Sequence, residues 1–172
     1  MQISPPCYPR YRIGRITELT LERLREMDAQ YLLIDVDCTL KRYSSETPEP
    51  DIADWLQTVE QAGFSICLVS NGRGDRIHQF AKELGYPCIA FSIKPLPFGP
   101  MRAIRRLKAD RRKTLMIGDQ MFTDIPAGRI VGVRTVLVAP IHPEEEPLFA
   151  RCKRAVEKIA IRFAKSKTPW DK

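Results

Sequence analysis

The chain has 172 residues, 44% of them hydrophobic, enough for the core of about one domain, and no apolar run reaches the roughly eighteen residues of a membrane-spanning helix. Its net charge of +7 is concentrated in two places, Leu148–Lys172 with eight basic and two acidic residues and Arg102–Lys113 with seven and one, so the rest is acidic on balance. Cys7, Cys38, Cys67, Cys88 and Cys152 form no Cys-x-x-Cys pair, and Met1–Cys7 has neither the basic nor the long apolar part of a secretory signal, which excludes a disulfide scaffold and leads us to expect a cytoplasmic protein.

Residues 1–16, with Pro5, Pro6 and Pro9 among arginines, read as an irregular arm. Thr20 caps a short helix with Leu21, Leu24 and Met27 at helical spacing. Tyr31–Ile34 is a buried strand, and a helix from Asp51 follows, with Ile52, Trp55, Leu56 and Val59 inward and Gly63 as its stop. Residues 64–69 form the second strand, and the next helix places Ile77, Phe80, Ala81 and Leu84 on one face, leaving His78 on the surface. Pro87–Phe91 is the third strand, Pro100–Lys108 a helix, Thr114–Ile117 the fourth strand, with a short helix near Asp124, and Arg134–Val138 the fifth. The alternation predicts an α/β fold with a central parallel sheet of about five strands. We divide it into an arm and helix (1–30), a core (31–141) and a basic helix and tail (142–172), all within one domain.

In a parallel sheet the strands share one rim, where ligands bind. Four strands end there in polar residues: Asp35 and Asp37, Ser70 and Asn71, Lys94, and Asp119 with Asp124. Asp35 and Asp37 lie one residue apart, share a face and repel unless a cation or proton neutralises them. Taken singly, each group has a plainer reading, Ser70-Asn71-Gly72 as a turn or Asp124 as a helix cap; together they point to a site built around a metal.

Asp35-Val36-Asp37-Cys38-Thr39, Ser70, Lys94 and Gly118-Asp119 followed by Asp124 resemble, in order and spacing, the four motifs of the haloacid dehalogenase (HAD) superfamily. More narrowly, Gly118–Asp124 and the arm resemble the subfamily IIIA phosphatases of the YqeG family, which is similar to the mitochondrial phosphatidylglycerophosphate phosphatase. Cys38 departs from the family's usual Asn or Glu, and Gly128-Arg129-Ile130 from its frequent Gly-Asn-Arg. The resemblance implies a Rossmannoid three-layer sandwich and an Mg²⁺-dependent phosphomonoesterase. In it Asp35 is the nucleophile, Asp37 the acid and base, and Ser70, Asn71 and Lys94 hold the phosphoryl oxygens. Asp35, Asp119, the main-chain carbonyl of Asp37 and the nearby Asp124 surround the metal.

The spacing between these motifs leaves no room for a cap domain, which suggests a large or anchored substrate. Lys41, Arg42 and Arg73 follow the first two motifs and are expected at the mouth, where they could recognise a second phosphate or a lipid head group. In the tail, Phe149, Cys152, Val156, Ile159, Ala160 and Phe163 form an apolar seam, with Arg151, Lys153, Arg154, Lys158, Arg162 and Lys165 elsewhere around the helix. This suits peripheral contact with an anionic membrane as well as it suits packing on the core. Phosphatidylglycerophosphate fits these features. The alternatives are a capless phosphatase of nucleic-acid ends or phosphoproteins, and a non-catalytic module that binds RNA or membrane.

Overall fold

Apolar runs bounded by turn formers become strands covered on both faces. In the computed structural model, which describes residues 8–72, 74–146, 148, 154–157 and 159, the strands are β1 (Tyr11–Ile13), β2 (Tyr31–Ile34), β3 (Ser65–Val69), β4 (Cys88–Ile89), β5 (Thr114–Gly118) and β6 (Arg134–Val138). They form one six-stranded parallel sheet in the order β1-β6-β5-β2-β3-β4. The helices are α1 (Leu21–Glu26), α2 (Pro50–Gln61), α3 (Asp75–Leu84), α4 (Phe98–Leu107) and α5 (Asp124–Ile130).

Successive side chains of a strand point to opposite faces, and β2 shows the result. Leu32 and Ile34 pack in a core with Leu24 of α1, Ile52 and Leu56 of α2, and Ile77 and Phe80 of α3. Leu33 joins Cys67, Met116 and the α4 residues Ala103 and Ile104 on the other side. With helices on both faces, β2 has no solvent side, which is why it is a continuous apolar run rather than an alternating one. Burying each of Leu32, Leu33 and Ile34 completely contributes about 1.5–3 kcal/mol.

Thr20 caps α1 through its hydroxyl, which accepts from Arg23 N. Trp55 is a core residue whose Nε1 donates to Leu19 O at 2.8 Å. The difference from expectation is at the sheet edge. Tyr11–Ile13, assigned to an irregular arm, pairs with Val136–Val138 and adds a sixth strand. A three-residue strand is too short to show periodicity, and its ladder is supplied by a partner far along the chain. The third expected strand is shorter, Cys88–Ile89, because Ala90 already begins the turn that carries the chain to the rim. No cap interrupts the described residues between β2 and α2 or between β3 and α3.

The described part of the terminal helix packs opposite to the expected seam. Arg154 and Glu157 are buried, whereas Val156 and Ile159 are 58% and 59% exposed. Arg154 meets buried carboxylates, and Glu157 Oε1 accepts from Phe122 N at 3.1 Å, so specific polar pairing outweighs the apolar pattern. Of the remaining seam and basic positions, Phe149, Ala150–Lys153, Lys158 and Ala160–Lys172 lie outside the described residues. No helix among the described residues is long and apolar enough to cross a membrane.

Candidate active site

The carboxyl end of β2 is held from both sides before any functional group is reached. Asp35 N donates to Ile117 O at 2.9 Å on the β5 side, while on the other side Leu33 and Ile34 pair with Cys67 and Leu68 of β3. Asp35 is therefore fixed at the centre of the sheet. Lys94 arrives on the loop after β4, and its Nζ lies 2.5 Å from Asp35 Oδ1, 2.6 Å from Val69 O and 2.7 Å from Asp124 Oδ1. Asp119 follows β5, and Asp124 opens α5.

Gly118 fixes the spacing of these last two. A Cβ there would lie 2.4 Å from Asp124 Cγ and Oδ2, so only glycine lets the carboxylate approach the strand end. Asp124 Oδ2 accepts from Gln120 N at 3.0 Å. Its Oδ1 is fully buried and lies beside Lys94 but outside hydrogen-bond geometry.

Asp35, Asp119 and Asp124 each present an oxygen, all within 4.8 Å of one another. These three residues would hold a divalent cation, and Mg²⁺ takes such oxygen ligands. The charges point the same way. Among the described residues, Asp35, Asp119, Asp124 and Glu146 have Lys94 and Arg154 as their directly contacting cations; fully ionised, the four would carry two negative charges in excess, which one divalent ion would balance. Burial pushes the Asp35 carboxyl well above its usual range, partly offset by Lys94, and it also pushes Asp119 up, partly offset by Arg154. Burial alone would lower Lys94, but Asp124 and Asp35 more than compensate and hold its proton tightly. An all-oxygen set, of which Asp35 and Asp119 resist ionisation until a cation arrives, fits Mg²⁺.

The rim differs. The Asp37 carboxylate meets Lys41 Nζ at 3.0 Å and Arg76 Nη2 at 2.9 and 3.0 Å. Thr39 Oγ1 donates to Asp119 Oδ1 at 3.1 Å, joining the first motif to the fourth. Ser70 is buried, and its Oγ accepts from Gly72 N at 2.9 Å, leaving the hydroxyl proton for a ligand. Cys38 takes the left-handed conformation, φ 62°, in which Asn is favoured over most residues; burial pushes its thiol far up, so it is inert.

Three expected roles change. Lys41 is not at the mouth: it is fully enclosed, donating to Arg42 O and Ser45 O at 3.2 and 2.6 Å besides pairing with Asp37. Arg42 is half-exposed but bound to Glu49 and Glu145 at 3.0 and 3.5 Å. Asn71 does not face a phosphate with its amide: Oδ1 accepts from Lys94 N at 2.7 Å and Ser92 Oγ at 2.9 Å, and Nδ2 donates to Lys94 O at 3.0 Å. It clamps the loop that delivers the lysine. Arg73 lies outside the described residues. His78 is exposed, as expected.

Sequence reasoning missed Arg76, which is one more arginine at a helix start, and Arg154 with Glu146. Arg154 binds both Glu146 and Asp119 Oδ2. Nothing in its local spacing distinguishes it from the other basic residues of the tail; its partners, 8 and 35 residues away, do.

The haloacid dehalogenase-like hydrolase family matches residues 10–132. Over 155 residues, 90% of each chain, the protein is 28% identical to a Bacillus subtilis (strain 168) protein described as "Probable phosphatase YqeG". Two solved structures share its fold. One is a hypothetical protein from Xanthomonas campestris (TM-score 0.57, 17% identity, 88% of this chain and 98% of that one). The other is the cobalt-bound deoxy-D-mannose-octulosonate 8-phosphate phosphatase from Haemophilus influenzae (TM-score 0.54, 11% identity, 74% and 75%). With the family spanning every motif of the rim, the chain belongs to the haloacid dehalogenase-like hydrolases.

Proposed function

We propose that the protein hydrolyses a phosphate monoester through an aspartyl-phosphate formed on Asp35. The observation that carries this reading is Lys94 Nζ bridging Asp35 and Asp124, with Asp119 beside them. Phosphate monoesters resist water so strongly that a catalyst must lower the barrier by about 20 kcal/mol or more. Most of that reduction comes from positioned charge.

The free oxygen of Asp35 attacks phosphorus while Lys94 and the Ser70 hydroxyl hold the phosphoryl oxygens. Asp37, kept in place by Lys41 and Arg76, protonates the leaving alkoxide and then takes a proton from the water that cleaves the acyl phosphate. Asp35, Asp119 and Asp124 would hold the Mg²⁺, which would supply the charge neutralisation an anionic carboxylate needs to approach an anionic ester.

The absence of a cap in the described residues and the partial exposure of Asp37 and Arg76 on the rim support a substrate whose phosphate is offered at a surface. Phosphatidylglycerophosphate is our preferred ester. A panel of esters in Mg²⁺, containing this lipid, a soluble aryl phosphate, phosphorylated oligonucleotides and phosphopeptides, tests the reading. Turnover of the lipid above all others is expected. Preference for an oligonucleotide or phosphopeptide would replace the lipid, and no turnover of any ester would leave a binding module. Retained activity in Asp35→Asn would remove Asp35 as the nucleophile.

A further inference from the structure

The loop that brings Lys94 into the site is apolar on its outside. Phe91, Ile93, Leu96 and Phe98 are 54%, 47%, 46% and 58% exposed, whereas Lys94 among them is 4% exposed. Four large apolar side chains at the surface within eight residues are more than scattered exposure explains.

The loop cannot fold them away. Phe91 N donates to Gly72 O at 3.1 Å, Ser92 N to Ser70 O at 2.9 Å, and Leu96 N to Ile93 O at 2.9 Å, while Asn71 clamps Lys94 from both ends of its amide. Phe91 and Ile93 have φ of 49° and 56°, a region a β-branched residue rarely enters. Such strain persists only where surrounding contacts impose it. The outward display is therefore built in.

Charge surrounds this patch on one side. Gly85–Ala109 contains no Asp or Glu. Phe98 opens α4, and Arg102, Arg105 and Arg106 continue its exposed face at helical spacing, with Lys108, Arg111 and Arg112 beyond. A second copy of this chain fits poorly, because a two-fold interface would set each patch and its arginines against themselves. An anionic bilayer fits both parts, taking apolar side chains at its headgroup boundary and basic ones at its surface.

We propose that the Phe91–Phe98 loop, with the basic face of α4, docks the protein on an anionic membrane and so sets the Asp35 site at the lipid surface. Its bearing on the substrate rests on the phosphatase reading; the docking does not.

Sedimentation with vesicles of phosphatidylcholine, alone or mixed equally with phosphatidylglycerol, tests it, alongside hydrolysis of a soluble aryl phosphate in Mg²⁺. Wild type is expected to sediment with the mixed vesicles. Leu96→Ser/Phe98→Ser should weaken that partition about tenfold or more while hydrolysing the soluble ester like wild type. Arg102→Ser/Arg105→Ser should weaken binding to the mixed vesicles, most at low salt. Leu96→Trp keeps the patch apolar, and its emission should shift to the blue on mixed vesicles. Wild type indifferent to mixed vesicles, serine variants that still bind, or no shift for the tryptophan would overturn the proposal. So would loss of binding only in Val156→Ser/Ile159→Ser, which would move docking to the terminal helix, or loop variants that instead convert a dimer to monomers. Vesicle binding by a wild type inactive on every ester would sink the phosphatase reading and leave the docking standing.

Discussion

The floor of the site and its rim use the same residue types to opposite ends. On the floor, Asp35, Asp119 and Asp124 are buried with Lys94 and Arg154 as their cations, and removal from water dominates. On the rim, Asp37 is partly exposed between Lys41 and Arg76. In the proposed reaction, two carboxylates one residue apart would thus serve as a metal-dependent nucleophile and a steered proton carrier. The sheet makes the difference: Asp35 is bonded to β5 through its backbone, whereas Asp37 has already left the strand.

The largest effect expected from breaking this contrast is at Asp35. Asp35→Asn should lose turnover to the limit of detection yet stay folded, whereas Asp37→Asn should retain a residual rate, reduced on the order of 10²- to 10⁴-fold. Steady-state kinetics on one ester with both variants would decide it. If Asp37→Asn were equally dead and Asp35→Asn active, the roles would be reversed.

Lys94→Met comes next. It should reduce kcat on the order of 10³-fold and, by leaving buried carboxylates without their cation, destabilise the chelated protein by about 3–5 kcal/mol in urea unfolding. Mg²⁺ should recover part of that stability. A variant as stable as wild type in chelator would show that the floor is not held together by this charge.

Arg154→Met tests whether the terminal helix belongs to the floor. Melting should fall more in chelator than in Mg²⁺, because the metal takes over from the guanidinium at Asp119, and apparent Mg²⁺ affinity should rise. Equal losses in both conditions would make Arg154 a surface strut. At the rim, Arg76→Ala should cost about tenfold in kcat and about 1 kcal/mol or less in stability, its side chain being 37% exposed.

The pH dependence is the smallest effect and belongs to the floor. Without metal, folded Asp35 and Asp119 keep protons that the unfolded chain releases near pH 3.9 or so. The folded state then binds more protons than the unfolded one, so stability falls as pH rises above the ordinary carboxylate range toward their raised values. Lys94 keeps its proton throughout this window. With Mg²⁺ the decline should vanish, since the ion replaces those protons. Melting temperatures across the acidic to neutral range, in chelator and in Mg²⁺, measure this; identical curves would contradict it.

Most of the floor was legible in the sequence because parallel strands end together: Asp35, Ser70 and Asp119 directly follow strands, and Lys94 and Asp124 come a few residues after them. The rim was not legible, because Lys41 and Arg76 owe their places to a loop and a helix start whose paths no periodicity encodes. Asn71 was misread for the same reason: an amide beside a serine at a strand end looks like a ligand until the loop it clamps is seen. β1 and Arg154 share another cause, since both depend on partners distant in the chain.

One of the narrowest tolerances among the described residues belongs to a residue without a functional group. Substituting Ala for Gly adds one methyl, a change normally ranked as mild, yet at Gly118 that carbon would wedge Asp124 off the strand end. Such a variant would carry every acid and base intact and still be crippled. A descendant of this chain could adopt a larger residue there only after shifting α5 outward, so position 118 sets how far the fourth motif is free to drift.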